Sequence, residues 1–405
     1  MTKGINDLQP SRLEQALTFR SLTKGQLAGL VGVAASTVTK WCKGDQFPEA
    51  ETFDRLATIL GVEAEWLTRP PLPTVSAPLF RSNASALKAA RSKLNARADL
   101  VQEISVLFGD HVDYPALNLP TRNFKALEEI TKADIEEAAE ECRKLWQLGR
   151  SPIQDLTLAA EGAGIIIARE ETGIATIEGL SCWSPVHGLP VVLLSADKAN
   201  GFRSRFDLAH EIGHLVLHKH IPDSDDPEQY KLKEKQAHYF AGALLLPAET
   251  FANDVRTPPS LDSLLIIKQR WGVSVGAMIM RLYALRIIND QEKDNLFKRR
   301  SARWGAKAEP HDDKWEPEKP RLLRRTVELL INANIIPTES MVRYIGLNAT
   351  RDVEPLCGLR EGYFSSPPQV VELATLRHHK GAPRPGQQVV NGESAKVMSL
   401  TDFRR

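Results

Sequence analysis

Between Phe206 and His218 the chain reads FDLAHEIGHLVLH. An α-helix turns about 100° per residue, so His210 and His214 lie one turn apart on one face. Two imidazoles so placed can point at one ion. Glu211 lies on the flank of that face, beside His214, where it reaches a water at the ion more readily than the ion itself. This is why the spacing His-Glu-x-x-His suits a zinc hydrolase, with two ligands and a base for the water. An ordinary buried helix would read differently. Leu208, Ile212, Leu215 and Val216 supply apolar surface, yet Glu211 places a charge in their company. Burying an ionised carboxylate without a partner is costly. Gly213 costs a helix up to about 1 kcal/mol relative to Ala. A purely structural helix gains from neither residue, whereas close approach of another backbone near the ion would explain Gly213.

A zinc site of this type needs a third protein ligand and an open fourth position. In KEKQAHYFAGALLLP, Glu234 and His238 share a face at i and i+4, and Ala237, Phe240, Ala241 and Leu244 form the apolar side. Glu234 is the preferred ligand, with His238 orienting it; the alternative is His238 as the ligand. His218 and His220 follow the expected helix end and read as solvent-facing or helix-capping. Tyr230, Tyr239 and His238 are candidates to assist an oxyanion. A substrate segment would add as an extended strand beside LPVVLLS, residues 189–195.

The first 69 residues read as four short helices: SRLEQALTFRS, TKGQLAGLVGV, AASTVTKWCKG and AETFDRLATILGV. In the second, Leu27, Leu30 and Val31 stand at helical spacing, and Gly32 falls in the turn after it. Val38 and Trp41 mark the buried face of the third helix. That leaves Ala35, Ser36, Thr39 and Lys40 outward, where a recognition helix meets base edges. Lys24, at the start of the preceding helix, is placed to neutralise a phosphate. The whole chain carries a net charge of only +1, so any nucleic-acid surface must be local. It is: residues 1–44 carry a net +4 and residues 45–69 a net −4. Ala35 and Ser36 have short side chains that make few base contacts, which points to modest specificity or to a homodimer.

A length of 405 residues implies two to four folding units. RPPLPTVSAP cannot continue a helix and reads as a linker. Two long helical patterns follow, ASALKAARSKLNARADLVQEISVLFG and KADIEEAAEECRKLWQLG, joined through an extended YPALNLP. GAGIIIARE, GLSCWS and LPVVLLS read as strands. HIPDSDDPEQ reads as a polar loop before the second site helix. LDSLLIIKQRW and VGAMIMRLYALRI read as further helices. The polar, proline-containing RRSARWGAKAEPHDDKWEPEKP reads as a second linker, and RLLRRTVELLINANII opens a small helical unit whose plainest use is partner contact. The expected organisation is a helix-turn-helix domain over 1–69, a linker over 70–82, a metal-site domain over 83–298, a linker over 299–319, a helical unit over 320–375 and a disordered tail over 376–405. Cys42, Cys142, Cys182 and Cys357 are too dispersed for a thiolate zinc site or a disulfide scaffold. The N-terminus has no apolar signal region and no run reaches membrane-spanning length, so a cytoplasmic protein with no membrane partner is expected.

Two resemblances follow from these residues. Gln26-Leu27-Ala28, Gly32-Val33, Ser36-Thr37-Val38, Trp41, Gly44, Leu60-Gly61-Val62 and Trp66-Leu67 resemble the phage-repressor-like (XRE-type) helix-turn-helix family. Cys42 departs from it, since the family usually carries an acidic residue there. From about Arg81 to Leu285 the chain resembles the ImmA/IrrE family of zinc metallopeptidases. The residues that carry this are Pro120, Ala163-Gly164, Pro190-Val191-Val192, the run Arg205 to His214, Glu234 to Ala241, Leu244 to Pro247 and Trp271 to Ser274. The resemblance implies a zincin-like domain in a mainly α chain with a small β-sheet (α+β). It implies zinc on His210, His214 and Glu234, Glu211 as general base, and a repressor or antitoxin-like protein as substrate, in the control of stress, phage, mobile-element or defence genes. Many relatives carry Asn or Asp at the position of His238. A second reading is a non-catalytic DNA-binding regulator whose metallopeptidase domain senses or scaffolds. DNA is the expected partner of the N-terminal domain in both.

Overall fold

A three-stranded sheet divides the protein into two cores. In the computed structural model, which describes residues 7–76, 85–173, 178–197, 199–222, 224, 226–305 and 308–365, the strands are β1 (Ile166–Glu170), β2 (Gly179–Trp183) and β3 (Pro190–Ser195). The order is β1-β3-β2, with β1 parallel and β2 antiparallel to β3. Side chains alternate across a strand. Ile166, Ala168, Val191 and Leu193 therefore face one core, and Ile167, Val192 and Leu194 face the other. A strand buried on both faces reads as an unbroken apolar run, and VVLL is such a run.

On the first face lie the N-terminal helices α1 (Pro10–Phe19), α2 (Lys24–Val31), α3 (Ala35–Lys43), α4 (Ala50–Leu60) and α5 (Ala64–Thr68), with the long α6 (Ser85–Gly109) between them and the sheet. The other face carries α7 (Lys132–Leu145), α8 (Leu156–Gly162), α9 (Gly201–Leu217), α10 (Pro227–Leu245), α11 (Ala248–Asp254), α12 (Leu261–Trp271), α13 (Val275–Ala284) and α14 (Asp290–Trp304). Helices α15 (Leu322–Asn332) and α16 (Thr338–Ile345), with a helical turn over 349–356, return to the first face. Among the described residues no helix is long and apolar enough to cross a membrane.

Four sequence expectations change. HIPDSDDPEQ is loop only in part: Asp226 caps α10 and Pro227 opens it, the position proline tolerates best. Leu30 lies on an exposed face of α2. The segment 299–319 is no free connection. It begins inside α14 and then delivers Glu309 and Asp312 to the fully buried Lys268 of α12. The linker expected over 70–82 is strapped down as far as it is described. Arg12 donates to the carbonyls of Arg69 and Pro70, Gln102 to that of Pro73, and the Val75 N–H bonds Asp99. Residues 77–82, 366–375 and the tail 376–405 lie outside the described residues.

Candidate metal centre

Helix α9 starts at Asn200, whose side chain accepts the Arg203 N–H. It is wedged between the sheet and α10, so its second half is buried on every side. The crossing explains Gly213: a Cβ there would meet Phe240 Cδ1 at 3.1 Å and the Ala237 carbonyl oxygen at 3.2 Å. The close backbone is that of α10. This contact brings Glu234 over the two histidines.

His210 Nε2 and His214 Nε2 are 3.0 Å apart. Glu234 Oε2 is 3.3 Å from the first, and its Oε1 is 3.4 Å from the second. Ligand atoms at bonds of about 2.0–2.1 Å in a tetrahedral site sit about 3.3–3.4 Å from one another. The donor set therefore fits one small divalent ion, and its three atoms lie within 4.8 Å of one another. Glu234 Oε1 is buried and makes no hydrogen bond, as is His210 Nδ1. Burial works to raise the Glu234 pKa, but contact with His210 and His214 outweighs it and holds the carboxyl well below the usual range. An ionised carboxylate thus faces two imidazoles across a gap that a cation would fill.

His218 caps the C-terminal end of α9, one of its two expected placements, and is buried rather than solvent-facing. Its Nδ1 is 3.0 Å from His214 Nδ1, and its Nε2 is 3.1 Å from Gln236 Oε1. Gln236 Nε2 donates to the Leu127 carbonyl at 2.7 Å, which leaves its oxygen for His218. Burial and the neighbouring His214 hold His218 well below its ordinary pKa, so the ring is neutral. His218 Nε2–H then donates to Gln236, and its Nδ1 accepts from His214 Nδ1–H. That chain leaves the His214 Nε2 lone pair aimed at the cluster, which is the form a metal ligand needs. The signal was available in sequence, since 210, 214 and 218 continue one i, i+4 series. His218→Ala is expected to weaken zinc binding about 10–100-fold, read by competition with a chromophoric chelator. Unchanged affinity would reduce the contact to packing.

His238 stands beside the three-atom cluster. Its ring centroid is 4.4 Å from that of His210, and it stacks on Phe206 at 5.8 Å. Tyr239 is engaged elsewhere, packed against Glu136 and Arg281; burial first, then Glu136, pushes its hydroxyl up to about 12. Tyr230 lies near the carboxylates, its pKa raised by burial and then by the charge of Glu234. Glu211 is buried, and Gly179 on β2 leaves it room: a Cβ there would lie 3.3 Å from Glu211 Oε1. His220 is exposed.

The expected strand partner for a substrate is corrected by the sheet order. β3 is central and paired on both sides. Ser184 N–H donates to Leu189, and Ser195 N–H to Glu178, so even-numbered residues of β2 face β3. Alternation turns the backbone of Gly179 and Ser181 toward the outer edge. At Trp183 that edge is taken by Ser76.

In the N-terminal domain, Thr23 and Gln26 form a reciprocal capping box at the start of α2, and Gly32 ends the helix in the left-handed region at φ 82°. Val38, Trp41 and Cys42 bury the inner face of α3. Ala35, Ser36 and Lys40 are exposed, and the Thr39 hydroxyl is bonded back to the Ala35 carbonyl. Lys24 Nζ pairs with Glu14 at 3.1 Å in an exposed contact.

Residues 160–283 match the Peptidase_M78 family model, the IrrE N-terminal-like domain. Residues 15–67 match the model of the helix-turn-helix family. No curated protein matches the chain. An XRE-type helix-turn-helix therefore precedes an IrrE/ImmA-like peptidase domain, in the order the sequence resemblances imply.

Proposed function

We propose that this helix-turn-helix and M78-type peptidase chain is a DNA-binding regulator with a zinc-dependent endopeptidase activity, directed at a repressor or antitoxin-like partner protein. The observation that carries the reading is the convergence of His210, His214 and Glu234 on one point, with Glu211 in the intervening helical turn. Zinc held by those three residues would supply Lewis acidity, lowering the pKa of a water and polarising a peptide carbonyl. The chain's own residues do the rest. Glu211 accepts the proton of the attacking water at its carboxylate and passes it to the departing amide nitrogen. A substrate strand beside Gly179 and Ser181 brings its carbonyl next to Glu211. His238 and Tyr230, which both lie near Glu234, are positioned to donate to a developing oxyanion. His214 keeps its orientation through His218 and Gln236.

The DNA side of the proposal assigns contacts to Ala35, Ser36, Thr39 and Lys40 on α3 and a phosphate contact to Lys24. Lys24 exchanges an exposed pair with Glu14 for that phosphate, and such pairs are worth about 0–1 kcal/mol.

Elemental mass spectrometry of the purified protein tests the centre. About one zinc per chain is expected, and Glu234→Ala is expected to lose it. A protein that takes up no metal even when zinc is supplied would sink the peptidase reading.

A further inference from the structure

We infer that the protein acted on presents this site with a run of large apolar side chains flanked by acidic residues, and that the run seats in a cavity extending from Glu234 along α10, α13 and α14. The consequence for substrate choice rests on the peptidase reading; the cavity does not.

The cavity holds about 800 Å³ and begins at Glu234 and His238. Pockets of about 300–1,000 Å³ enclose drug-sized ligands, so one side chain would leave most of it empty. Its apolar wall is made by Phe206, Tyr239, Ala277, Met280, Tyr283 and Phe297. Met280 is 50% exposed on that wall, an unpartnered apolar side chain of the kind that adapts to varied shapes. On the other side of the ligands, a cavity of about 230 Å³ beside Ser181 and His218 offers far less room. Bulky residues next to the cut bond therefore go toward α13.

Charge selects the flanks. Three carboxylates around the cavity have cationic partners of their own: Glu178 pairs with Arg203 at 2.7 Å, Glu309 with Lys268 and Arg300, and Asp312 with Lys268. Of the other two, Asp207 lies against Glu178 and Glu234 faces His210 and His214. Lys132, Lys231 and Lys235 are exposed where they border it. Lys231 reaches Glu228, itself highly exposed, and such a pair is readily exchanged. Desolvated apolar anchors would supply affinity and the lysines register.

The test measures binding, independent of turnover, by fluorescence anisotropy on full-length Glu211→Gln protein. Three short labelled peptides are compared: a Leu-Phe-Leu core with glutamate flanks, the same flanks around a serine core, and the apolar core with lysine flanks. The first is expected to bind at least about tenfold tighter than either other. Ala277→Trp, which fills the cavity, is expected to weaken it about tenfold. Met280→Gln, at an exposed position that does not threaten folding, is expected to weaken it about threefold. Equal affinity for the first two peptides, no binding of any, or indifference to Ala277→Trp would overturn the inference. Peptide binding in a protein that takes up no zinc would leave the cavity standing and remove the peptidase reading. Zinc without peptide binding would do the reverse.

Discussion

Glu211→Gln is expected to slow cleavage of the partner protein about 10²–10⁴-fold, the usual contribution of a positioned general base, while zinc content and DNA binding stay at wild-type levels. The substitution preserves volume, and the packing at Gly179 that seats the Glu211 carboxylate accepts an amide of the same shape. It removes only the ability to take a proton. Glu211 is not among the three clustered ligand atoms, so metal retention separates its role from theirs. The recognition helix lies on the opposite side of the sheet, so DNA affinity is a fair internal control. The measurement compares new protein N-termini in cells expressing wild-type or variant chain, followed by cleavage of the identified protein in vitro. Persistence of the same N-termini in the variant would remove Glu211 from the chemistry. If no protein is cut by either form while DNA is bound specifically, the non-catalytic regulator is the correct reading.

That His210 and His214 face one point was legible because helical spacing fixes which side chains share a face. Whether Glu234 or His238 joins them was left open by that spacing, and it is the crossing of α9 and α10 that brings Glu234 to the pair. What failed was whatever depends on neighbours from elsewhere in the chain. Strand order is not written in periodicity, so β3 was offered as the substrate's partner although it lies between β1 and β2. His218 does follow the end of α9 and cap it, but it is buried rather than solvent-facing because Gln236 of α10 reaches it, a contact that spacing along one helix does not show. Polar composition misled over 299–319, since a glutamate that serves a buried lysine looks in sequence like one that serves water. Leu30 shows the opposite error: helical spacing placed it inward, but nothing covers that face of α2 among the described residues.

The C-terminal unit is where the largest stability effect is expected. Read as a small bundle for partner contacts, it instead fastens the DNA-binding domain to the sheet. Val62 and Leu347 form a β-bridge, and the Glu63 N–H donates to the Gly346 carbonyl. Asp352, fully buried, sits between two arginines. Arg20, which caps the C-terminal end of α1, gives it two hydrogen bonds, at 2.8 and 2.5 Å. Arg97 of α6 gives another and pairs also with Glu170 on β1. One carboxylate thus joins the first helix of the N-terminal domain, the long helix behind it and the edge of the sheet. Asp352→Ala leaves two buried guanidinium groups facing each other. Removing one partner of a buried pair costs about 3–5 kcal/mol, and the remaining Arg97–Glu170 pair places this case near the lower end of that range. The comparison that isolates the effect is Arg343→Ala, which breaks an exposed pair with Glu65 across the same junction at 3.3 Å. An exposed pair contributes about 0–1 kcal/mol. Urea denaturation of both variants should therefore separate them by about 2 kcal/mol or more, with Asp352→Ala also exposing the strap over 70–76 to protease first. Equal stabilities would mean that the two arginines find other partners and that the DNA-binding domain is held by its apolar contacts alone.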